Sequence, residues 1–244
     1  MKRLTIITDS LGMARDCTPR EQTWIDLFLC HLMQDSNNIK QIAGGGVITY
    51  FFAKRGLHTQ DMLNDKIDLL LYQKSDFVII QSGVVDASRR IMKRGLEWRI
   101  ESLPILGKLY KNFTSTFRLK LTRLYHYHYV SPANFYRNVI SICDDIYKAN
   151  PNAKILWIAI APPGEFLISK VYAIQQDIKL YNNILAQCAT QKHFEILNPY
   201  TGYNTGQITI RDGHHLSAFG HKLVYQALKE KLESYLSHKS TNSQ

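Results

Sequence analysis

Apolar runs of strand length alternate with helix-length amphipathic segments along most of this chain. The runs that predict strands cover residues 4–8, 39–43, 76–81, 154–161 and 194–197. The run at 76–81 is almost continuously apolar, which indicates a strand buried on both faces. Strands separated by helices need crossover connections, and these favour a mostly parallel sheet with helices on both sides. The pattern therefore predicts an α/β fold.

Amphipathic segments predict helices over residues 21–34, 59–71, 132–149, 171–190 and 217–236. A length of 244 residues, 45% of them hydrophobic, favours one domain with a full core. Ligands of parallel sheets bind beyond the carboxyl ends of the strands. Ser10, the glycines at 44–46 and the pair Ser82-Gly83 each follow a predicted strand, so we expect them along that edge.

A basic, aromatic-rich insertion interrupts the pattern at residues 88–130. Ten lysines and arginines lie in it against only Glu97 and Glu101, so it holds most of the net charge of +10. Three interpretations are open: a solvated helical cap, a surface for an anionic substrate, and a surface for an anionic membrane. We expect no nucleic acid as a partner, because no recognised nucleic-acid-binding motif accompanies the basic residues.

The chain has no apolar stretch near the roughly 20 residues that a membrane-spanning helix needs. The run after Met1-Lys2-Arg3 is too short for a signal peptide, because it leads directly into Asp9-Ser10. The four cysteines are far apart and fit neither a zinc site nor a disulfide framework. We therefore expect reduced thiols and a cytoplasmic location.

Residues that can carry chemistry lie near both ends of the chain. Ser10 follows the first predicted strand, and Asp212 and His215 form an Asp-x-x-His pattern before the last predicted helix. A serine needs a base to take its proton, and the base needs a carboxylate to hold its tautomer. Each motif is weak alone, but together they predict a nucleophile, a base and an orienting carboxylate. His214 is the competing base.

The chain resembles the SGNH (GDSL-type) hydrolase family in four sequence blocks. The first block, Gly-Asp-Ser-Leu, resembles Thr-Asp-Ser-Leu at residues 8–11, and the third, Gly-x-Asn-Asp, resembles Gly-Val-Val-Asp at 83–86. The second-block glycine is matched by Gly45 or Gly46, and the last block, Asp-x-x-His, by residues 212–215. The resemblance implies a flavodoxin-like three-layer α/β/α sandwich with a central, mostly parallel five-stranded sheet.

The resemblance also implies ester or acyl-transfer chemistry without a metal or another cofactor. By this resemblance Ser10 attacks a carbonyl carbon, His215 transfers the proton, and Asp212 orients the imidazole. The oxyanion would meet the backbone N–H groups of Ser10 and of Gly45 or Gly46.

Two positions depart from the family pattern. Thr8 replaces the first-block glycine, and Val85 replaces the third-block asparagine, whose amide donates to the oxyanion in the family. Valine has no donor, and the loss of one oxyanion donor lowers the rate roughly 10²–10³-fold. Arg89 or Arg90, just downstream, is a candidate replacement.

Residues 83–89 resemble a branch of the family that is associated with bacterial surface-polysaccharide biosynthesis. We assign Gly83, Val85, Asp86 and Arg89 in this run to the oxyanion and substrate-binding region. The implied function is a serine esterase that removes acyl groups, acetyl above all, from a carbohydrate or glycan precursor. An O-acyltransferase with the same acyl-serine intermediate, and a catalytically weak relative that binds anions or membranes, are the alternatives.

The expected partner is a small-molecule or glycan ester, with an anionic ester as one form. Through its basic insertion, the protein is also expected to contact the inner membrane surface peripherally.

Overall fold

A computed structural model describes residues 2–34 and 46–240 of the chain. The strands are β1 (Lys2–Thr8), β2 (Val47–Ala53), β3 (Phe77–Gln81), β4 (Arg89–Arg90), β5 (Tyr127–His128), β6 (Lys154–Ile158) and β7 (Glu195–Leu197). Five of them form one sheet in the order β2-β1-β3-β6-β7, and every neighbouring pair is parallel. The predicted parallel α/β sheet is confirmed.

The helices are α1 (Trp24–Gln34), α2 (Thr59–Asn64), α3 (Val84–Ala87), α4 (Arg94–Glu101), α5 (Pro104–Leu124), α6 (Pro132–Ala149), α7 (Glu165–Lys170), α8 (Ile174–Lys192), α9 (Thr205–Ile208) and α10 (Ala218–Ser240). α6 and α8 cover one face of the sheet, and α1 and α10 cover the other. The result is the predicted three-layer sandwich. Within the described ranges, no helix combines the length and the apolarity needed to cross a bilayer.

Each inner strand contributes to both cores because successive side chains point to opposite faces. In β3, Val78 and Ile80 pack in the core under α6 and α8, and Ile79 packs with Trp24 of α1 on the other side. The run that looked continuously apolar in sequence is therefore buried on both faces, as predicted.

The second strand of the sheet differs from the prediction. The predicted strand at 39–43 lies outside the described residues, and β2, which runs beside β1, covers Val47–Ala53 instead. This segment reads Val-Ile-Thr-Tyr-Phe-Phe-Ala, a composition typical of strands. Two other predicted elements end early. The helix over 59–71 ends at Asn64 and is followed by a π-helical turn, Ile67–Leu71, and the strand over 154–161 ends at Ile158.

The insertion leaves and rejoins the body at one place, because β4 and β5 pair antiparallel. Arg89 is opposite His128, and Arg90 is opposite Tyr127. Between these strands lie α4 and α5, and α5 is tied to the body where the backbone N–H of Tyr172 donates to the hydroxyl of Thr122 at 3.0 Å. The insertion is thus a helical pair closed at its base by a short hairpin.

Candidate active site

Ser10 lies in a tight turn at the carboxyl end of β1. This strand pairs with β2 on one side and with β3 on the other. Sheets of this topology bind ligands beyond the carboxyl ends of their strands, which is where Ser10 lies. Asp9 caps the turn, Ser10–Gly12, since its Oδ1 accepts a hydrogen bond from the Leu11 N–H at 2.8 Å. As the first residue of the turn, Ser10 has a backbone N–H that no carbonyl of the turn reaches.

Thr8, at the position of the first-block glycine, is held inside the core. Its side chain is fully buried, and the hydroxyl donates to Oε1 of Gln81 at 3.2 Å. Gly12 leaves room for it, because a Cβ at position 12 would come within 2.5 Å of the Thr8 hydroxyl. The larger residue at position 8 is therefore accommodated by packing and hydrogen bonding behind the serine.

The structure brings Ser10, His215 and Asp212 together. Nε2 of His215 is 3.1 Å from Oγ of Ser10, and Nδ1 of His215 is 2.6 Å from Oδ2 of Asp212. The other Asp212 oxygen, Oδ1, accepts backbone N–H bonds from His214 and His215 at 2.8 and 2.9 Å. Gly213, at φ +67°, supplies the left-handed turn that folds this loop back on the carboxylate.

The electrostatic surroundings keep the imidazole neutral and the carboxylate charged. Burial lowers the pKa of His215, and the positive charges of Arg15 and Arg55 lower it further, although the hydrogen bond to Asp212 opposes them. Burial acts to raise the pKa of Asp212, but the hydrogen bonds from His215 and His214 outweigh it, so the net shift is downward. A neutral imidazole with Nδ1–H donating to Asp212 has an accepting lone pair on Nε2, the atom that faces Oγ of Ser10.

The two other histidines near the C-terminal motif are placed differently. The ring of His214 packs edge-on against that of His215, with centroids 4.6 Å apart, and burial lowers its pKa to about 3. His221 is buried in α10, where its Nδ1 accepts the backbone N–H of Trp24 at 3.2 Å. Of these histidines, His215 is the one that contacts Ser10.

The prediction that Gly46 serves the oxyanion is wrong. Gly46 precedes β2, and its carbonyl accepts the backbone N–H of Lys2 at 3.0 Å. Because β1 and β2 run parallel from the pair Lys2 and Val47, Gly46 lies at the opposite edge of the sheet from Ser10. Gly45, the other predicted residue, lies outside the described part of the chain.

Gly56 occupies the place that was predicted for that glycine. It lies in the loop after β2, which is tied to the serine turn where the backbone N–H of Lys54 donates to the carbonyl of Thr8 at 3.1 Å. Gly56 has φ +68°, which favours glycine, and the neighbouring Arg55 carries one of the charges that act on His215. The strand-like composition of residues 47–53, followed by Lys-Arg-Gly, is the sequence signal that points to it.

The downstream arginines do not replace the donor that is missing at Val85. Val85 is 3% exposed and packs in the core. Arg89 makes two hydrogen bonds to Asp177, from Nε at 2.6 Å and from Nη2 at 3.1 Å. The guanidinium of Arg90 lies over the ring of Tyr129, 4.8 Å from its centre. Arg89 is therefore not free to serve as the oxyanion donor, because an ion pair holds its guanidinium on α8.

A different arginine lies beside the serine, and sequence reasoning missed it. Nη2 of Arg15 contacts Nε2 of His215 and is 3.5 Å from the carbonyl oxygen of Ser10. Two backbone hydrogen bonds of 2.9 Å between Arg15 and Thr18 hold the loop that carries it. The sequence shows only that Arg15 lies five positions after Ser10. It does not indicate the direction of the arginine side chain.

Gly83 and Asp86 shape the loop beside the site. Gly83 begins α3 at φ +131°, and a Cβ there would come within 2.8 Å of the Ile160 side chain. Asp86 is fully buried and accepts hydrogen bonds from the Thr59 hydroxyl at 2.6 Å and from its N–H at 3.1 Å. Asp86 thus fastens the start of α2 to the third block, a positioning contact within the protein.

A hydroxyl, an imidazole and a carboxylate joined in this order on an α/β sheet define the class of serine hydrolases. The sequence matches the GDSL-like Lipase/Acylhydrolase family over residues 7–223, a range that includes Ser10, Asp212 and His215. The chain belongs to this family. A comparison with curated proteins gives no significant match.

Solved structures of similar fold cover almost the whole chain. A lipase/acylhydrolase from Enterococcus faecalis has a TM-score of 0.63 at 16% identity, with 96% of this chain and 97% of that chain covered. The acetyl xylan esterase AlAXEase has a TM-score of 0.65 at 17% identity, covering 94% and 98%. A variant of the acetyl xylan esterase Axe2 from Geobacillus stearothermophilus has a TM-score of 0.59 at 15% identity, covering 93% and 92%. At these identities the likeness establishes the fold.

Proposed function

We propose that this protein is a serine esterase that removes acetyl groups from a carbohydrate or glycan precursor. The observation that carries the proposal is the hydrogen-bonded series from Ser10 through His215 to Asp212. Two proteins of similar fold bear the name acetyl xylan esterase, which supports an acetylated sugar as the substrate class. The resemblance of residues 83–89 to a branch associated with surface polysaccharides supports a bacterial glycan precursor.

The reaction proceeds in two halves through an acyl-serine. His215 takes the hydroxyl proton of Ser10 at Nε2 while Oγ bonds to the carbonyl carbon, and the carbonyl oxygen becomes an oxyanion. The tetrahedral species collapses, the bond to the sugar oxygen breaks, and His215 protonates that oxygen. Water then attacks the acyl carbon, gives its proton to His215, and releases the carboxylic acid as Ser10 recovers its proton. Asp212 orients the imidazole and stabilises its charged form.

Arg15 supplies the oxyanion donor that Val85 lacks. Its Nη2 is near both His215 Nε2 and the Ser10 carbonyl, so a small rotation of the guanidinium directs it to an oxygen on the carbon that Ser10 attacks. The backbone N–H of Ser10 is the second donor, and the loop at Gly56 offers a third. A charged donor is a stronger partner for an oxyanion than a neutral amide.

The direct test compares the wild type with Ser10→Ala on p-nitrophenyl acetate and on acetylated xylo-oligosaccharides. We expect turnover to fall at least roughly 10³-fold, because the attacking atom is removed. Ser88→Ala is the matched control, since Ser88 is also buried but donates to the carbonyl of Val84 within α3, and it should retain activity.

A fluorophosphonate probe adds a second readout. Wild-type protein should form an adduct that peptide mass spectrometry maps to Ser10, and Ser10→Ala should form none. Absence of labelling on folded wild-type protein would favour the non-catalytic relative. Addition of a free acceptor sugar separates hydrolysis from acyl transfer, because transfer yields an acylated acceptor in place of free acetate.

A further inference from the structure

A cavity of about 360 Å³ opens inside the insertion, between α5 and the chain around β4. We call it the guanidinium pocket. Its charged lining consists of Arg89, Arg90, Glu97, Glu101, Lys111 and Arg118. Ser10, Asp212 and His215 do not line it, so it is a site distinct from the hydrogen-bonded triad.

Most of these charges are already paired within the protein. Arg89 is bound to its carboxylate on α8, and Nζ of Lys111 lies 3.4 Å from Oε2 of Glu101. Glu97 accepts a hydrogen bond from the hydroxyl of Tyr129 at 2.5 Å. These pairs neutralise part of the lining and hold its walls in place.

Arg90 and Arg118 are the two charges that face the pocket without such a partner. The Nε of Arg90 is buried and has no hydrogen-bond partner among the described residues. No side-chain hydrogen bond of Arg118 is found in ranges 2–34 and 46–240. Burial lowers the pKa of Arg118, and the charge of Arg90 lowers it further, while Glu97 opposes both. Two half-buried guanidiniums, neither of them in an ion pair within the described residues, favour an added anion.

We propose that the guanidinium pocket binds a phosphate or carboxylate group of the ester substrate. This inference rests on the proposed function and narrows its substrate class to an anionic carbohydrate ester. Guanidinium groups bind the oxygens of either anion in a bidentate manner. The pocket lies where the insertion packs against the segment after β2. Arg90 lies over the ring of Tyr129, whose centre is 6.2 Å from that of His58, and Nη1 of Arg94 donates to Oδ2 of Asp61 on α2 at 2.9 Å.

The test compares Arg118→Gln and Arg90→Gln with Arg99→Gln, an exposed arginine of the same insertion outside the pocket. Three substrates are used: acetylated glucose 6-phosphate, an acetylated hexuronate and neutral acetylated glucose. In each pocket variant we expect kcat/KM for the preferred anionic ester, relative to the neutral one, to fall about tenfold or more. Arg99→Gln should keep the wild-type ratio. The phosphate and carboxylate arms identify the anion.

An unchanged ratio in both pocket variants would overturn the proposal. If no acetyl ester is hydrolysed at all, calorimetric titration with inorganic phosphate and with glucuronate still tests the pocket. Binding by the wild type and weaker binding by Arg118→Gln would then support an anion site in a protein of different activity. Equal binding by both proteins, or none, would exclude it.

A separate observation concerns the outer face of the insertion. Large apolar side chains are exposed along α5, and Trp98 on the adjoining helix α4 is 71% exposed. We call this the apolar face: Trp98, Ile105, Leu106, Leu109, Phe113 and Phe117. On α5 these residues recur mainly every four positions, so they share one side of the helix. Contiguous exposure of this kind marks an interaction site.

The charges near the apolar face indicate what kind of partner it binds. α5 has no acidic residue, and three of its basic residues, Lys108, Lys120 and Arg123, are exposed and lie outside the guanidinium pocket. A second copy of the chain would bring two strongly positive helices together, which is unfavourable. An anionic bilayer instead provides an apolar acyl-chain region for the exposed side chains and negatively charged headgroups for the lysines and arginines. Tryptophan also favours the boundary between lipid and water.

The geometry points to the apolar face as a docking surface for anionic lipid bilayers. The helix would lie in the plane of the bilayer surface, with its apolar side chains in the lipid and its basic side chains at the headgroups. This placement needs no membrane-spanning segment.

Sedimentation with vesicles tests the docking. We expect the wild type to bind vesicles with about 30% phosphatidylglycerol, to lose this binding in high salt, and to bind pure phosphatidylcholine weakly. Leu109→Ser with Phe113→Ser should reduce binding at least tenfold. Ile67→Ser, which removes an exposed apolar side chain outside the insertion, should not.

Failure to bind anionic vesicles, or equal loss in Ile67→Ser, would overturn the docking proposal. Analytical ultracentrifugation provides the alternative outcome: a dimer that the Leu109→Ser, Phe113→Ser variant dissociates would assign the face to a second copy of the chain.

Discussion

Arg15 contacts the same atom of His215 that faces the nucleophile. Nε2 of His215 faces both the hydroxyl of Ser10 and Nη2 of Arg15. The positive charge of Arg15 disfavours protonation of the imidazole. In the proposed mechanism the same charge stabilises the oxyanion once the acyl carbon becomes tetrahedral, and so takes the place of the amide donor that is missing at Val85.

Arg15→Gln should lower kcat for p-nitrophenyl acetate by roughly 10²–10³-fold, the usual effect of losing an oxyanion donor. KM should change little, because the interaction strengthens only in the transition state. Steady-state kinetics provide the measurement. Arg20→Gln is the control, since Arg20 is an exposed residue of the same loop region that pairs with Asp26. An equal kcat in Arg15→Gln and the wild type would remove Arg15 from the mechanism.

The pH dependence of kcat/KM reports the state of His215. The imidazole acts as a base only when neutral, so activity falls as the pH drops through its pKa. Because burial, Arg15 and Arg55 lower this pKa, we expect the acid limb below the ordinary value of about 6.5. In Arg15→Gln the limb should move to higher pH. A limb above 6.5 in the wild type, or an opposite shift in the variant, would contradict this account.

At the scale of elements, the junction between β3 and α3 depends on a glycine. Gly83 combines a left-handed φ of +131° with close contact to Ile160, so a side chain there meets both backbone strain and steric overlap. This turn places α3 so that Asp86, within it, accepts the hydroxyl hydrogen bond of Thr59 at the start of α2.

Gly83→Ala should destabilise the protein by about 2–4 kcal/mol, the sum of left-handed strain and overpacking. Gly202→Ala isolates the first effect. Gly202 has φ +85°, and among the described residues no atom beyond its chain neighbours lies within 4 Å of the point that a Cβ would occupy, so a loss of about 1 kcal/mol is expected. Urea denaturation of both variants measures the difference. Equal losses would show that contact with Ile160 is unimportant.

At the scale of the whole molecule, the insertion and the sandwich are joined at a hairpin base. Arg90 and Tyr127 are paired across β4 and β5, so the chain between them begins and ends at adjacent points. The three residues of the proposed triad come from loops outside this segment. The proposed triad thus lies in the sandwich, and both proposed binding surfaces lie in the insertion.

Replacing residues 91–126 by Asn-Gly, a dipeptide suited to a two-residue hairpin, tests this separation. We expect a protein that folds with reduced stability, reacts at Ser10 with a fluorophosphonate probe, and no longer binds anionic vesicles. Circular dichroism, labelling and sedimentation provide the three measurements. A folded variant that still sediments with the vesicles would place lipid binding elsewhere on the molecule.

Much of the architecture follows from local sequence. β1, β3 and β6 are short apolar runs, and α6 begins at Pro132 behind the cap Ser131, so propensity and periodicity were enough to predict them. β2 was missed because two neighbouring segments, 39–43 and 47–53, both have strand-like composition. Because the strand was predicted at 39–43, the glycine expected near Ser10 was Gly45 or Gly46, whereas the loop after β2 contains Gly56.

The alternation of strands and helices and the residue types available for acyl chemistry could be predicted from local sequence, because they depend on neighbours within a few positions. The pairing of Arg89 with Asp177, and the contact of Arg15 with His215, could be seen only in the folded chain. Side-chain partners of this kind are set by packing between distant segments: Ser10 and His215 are 205 positions apart in sequence and 3.1 Å apart in space. Composition and periodicity carry no information about which charged residue will lie beside the serine in the folded chain.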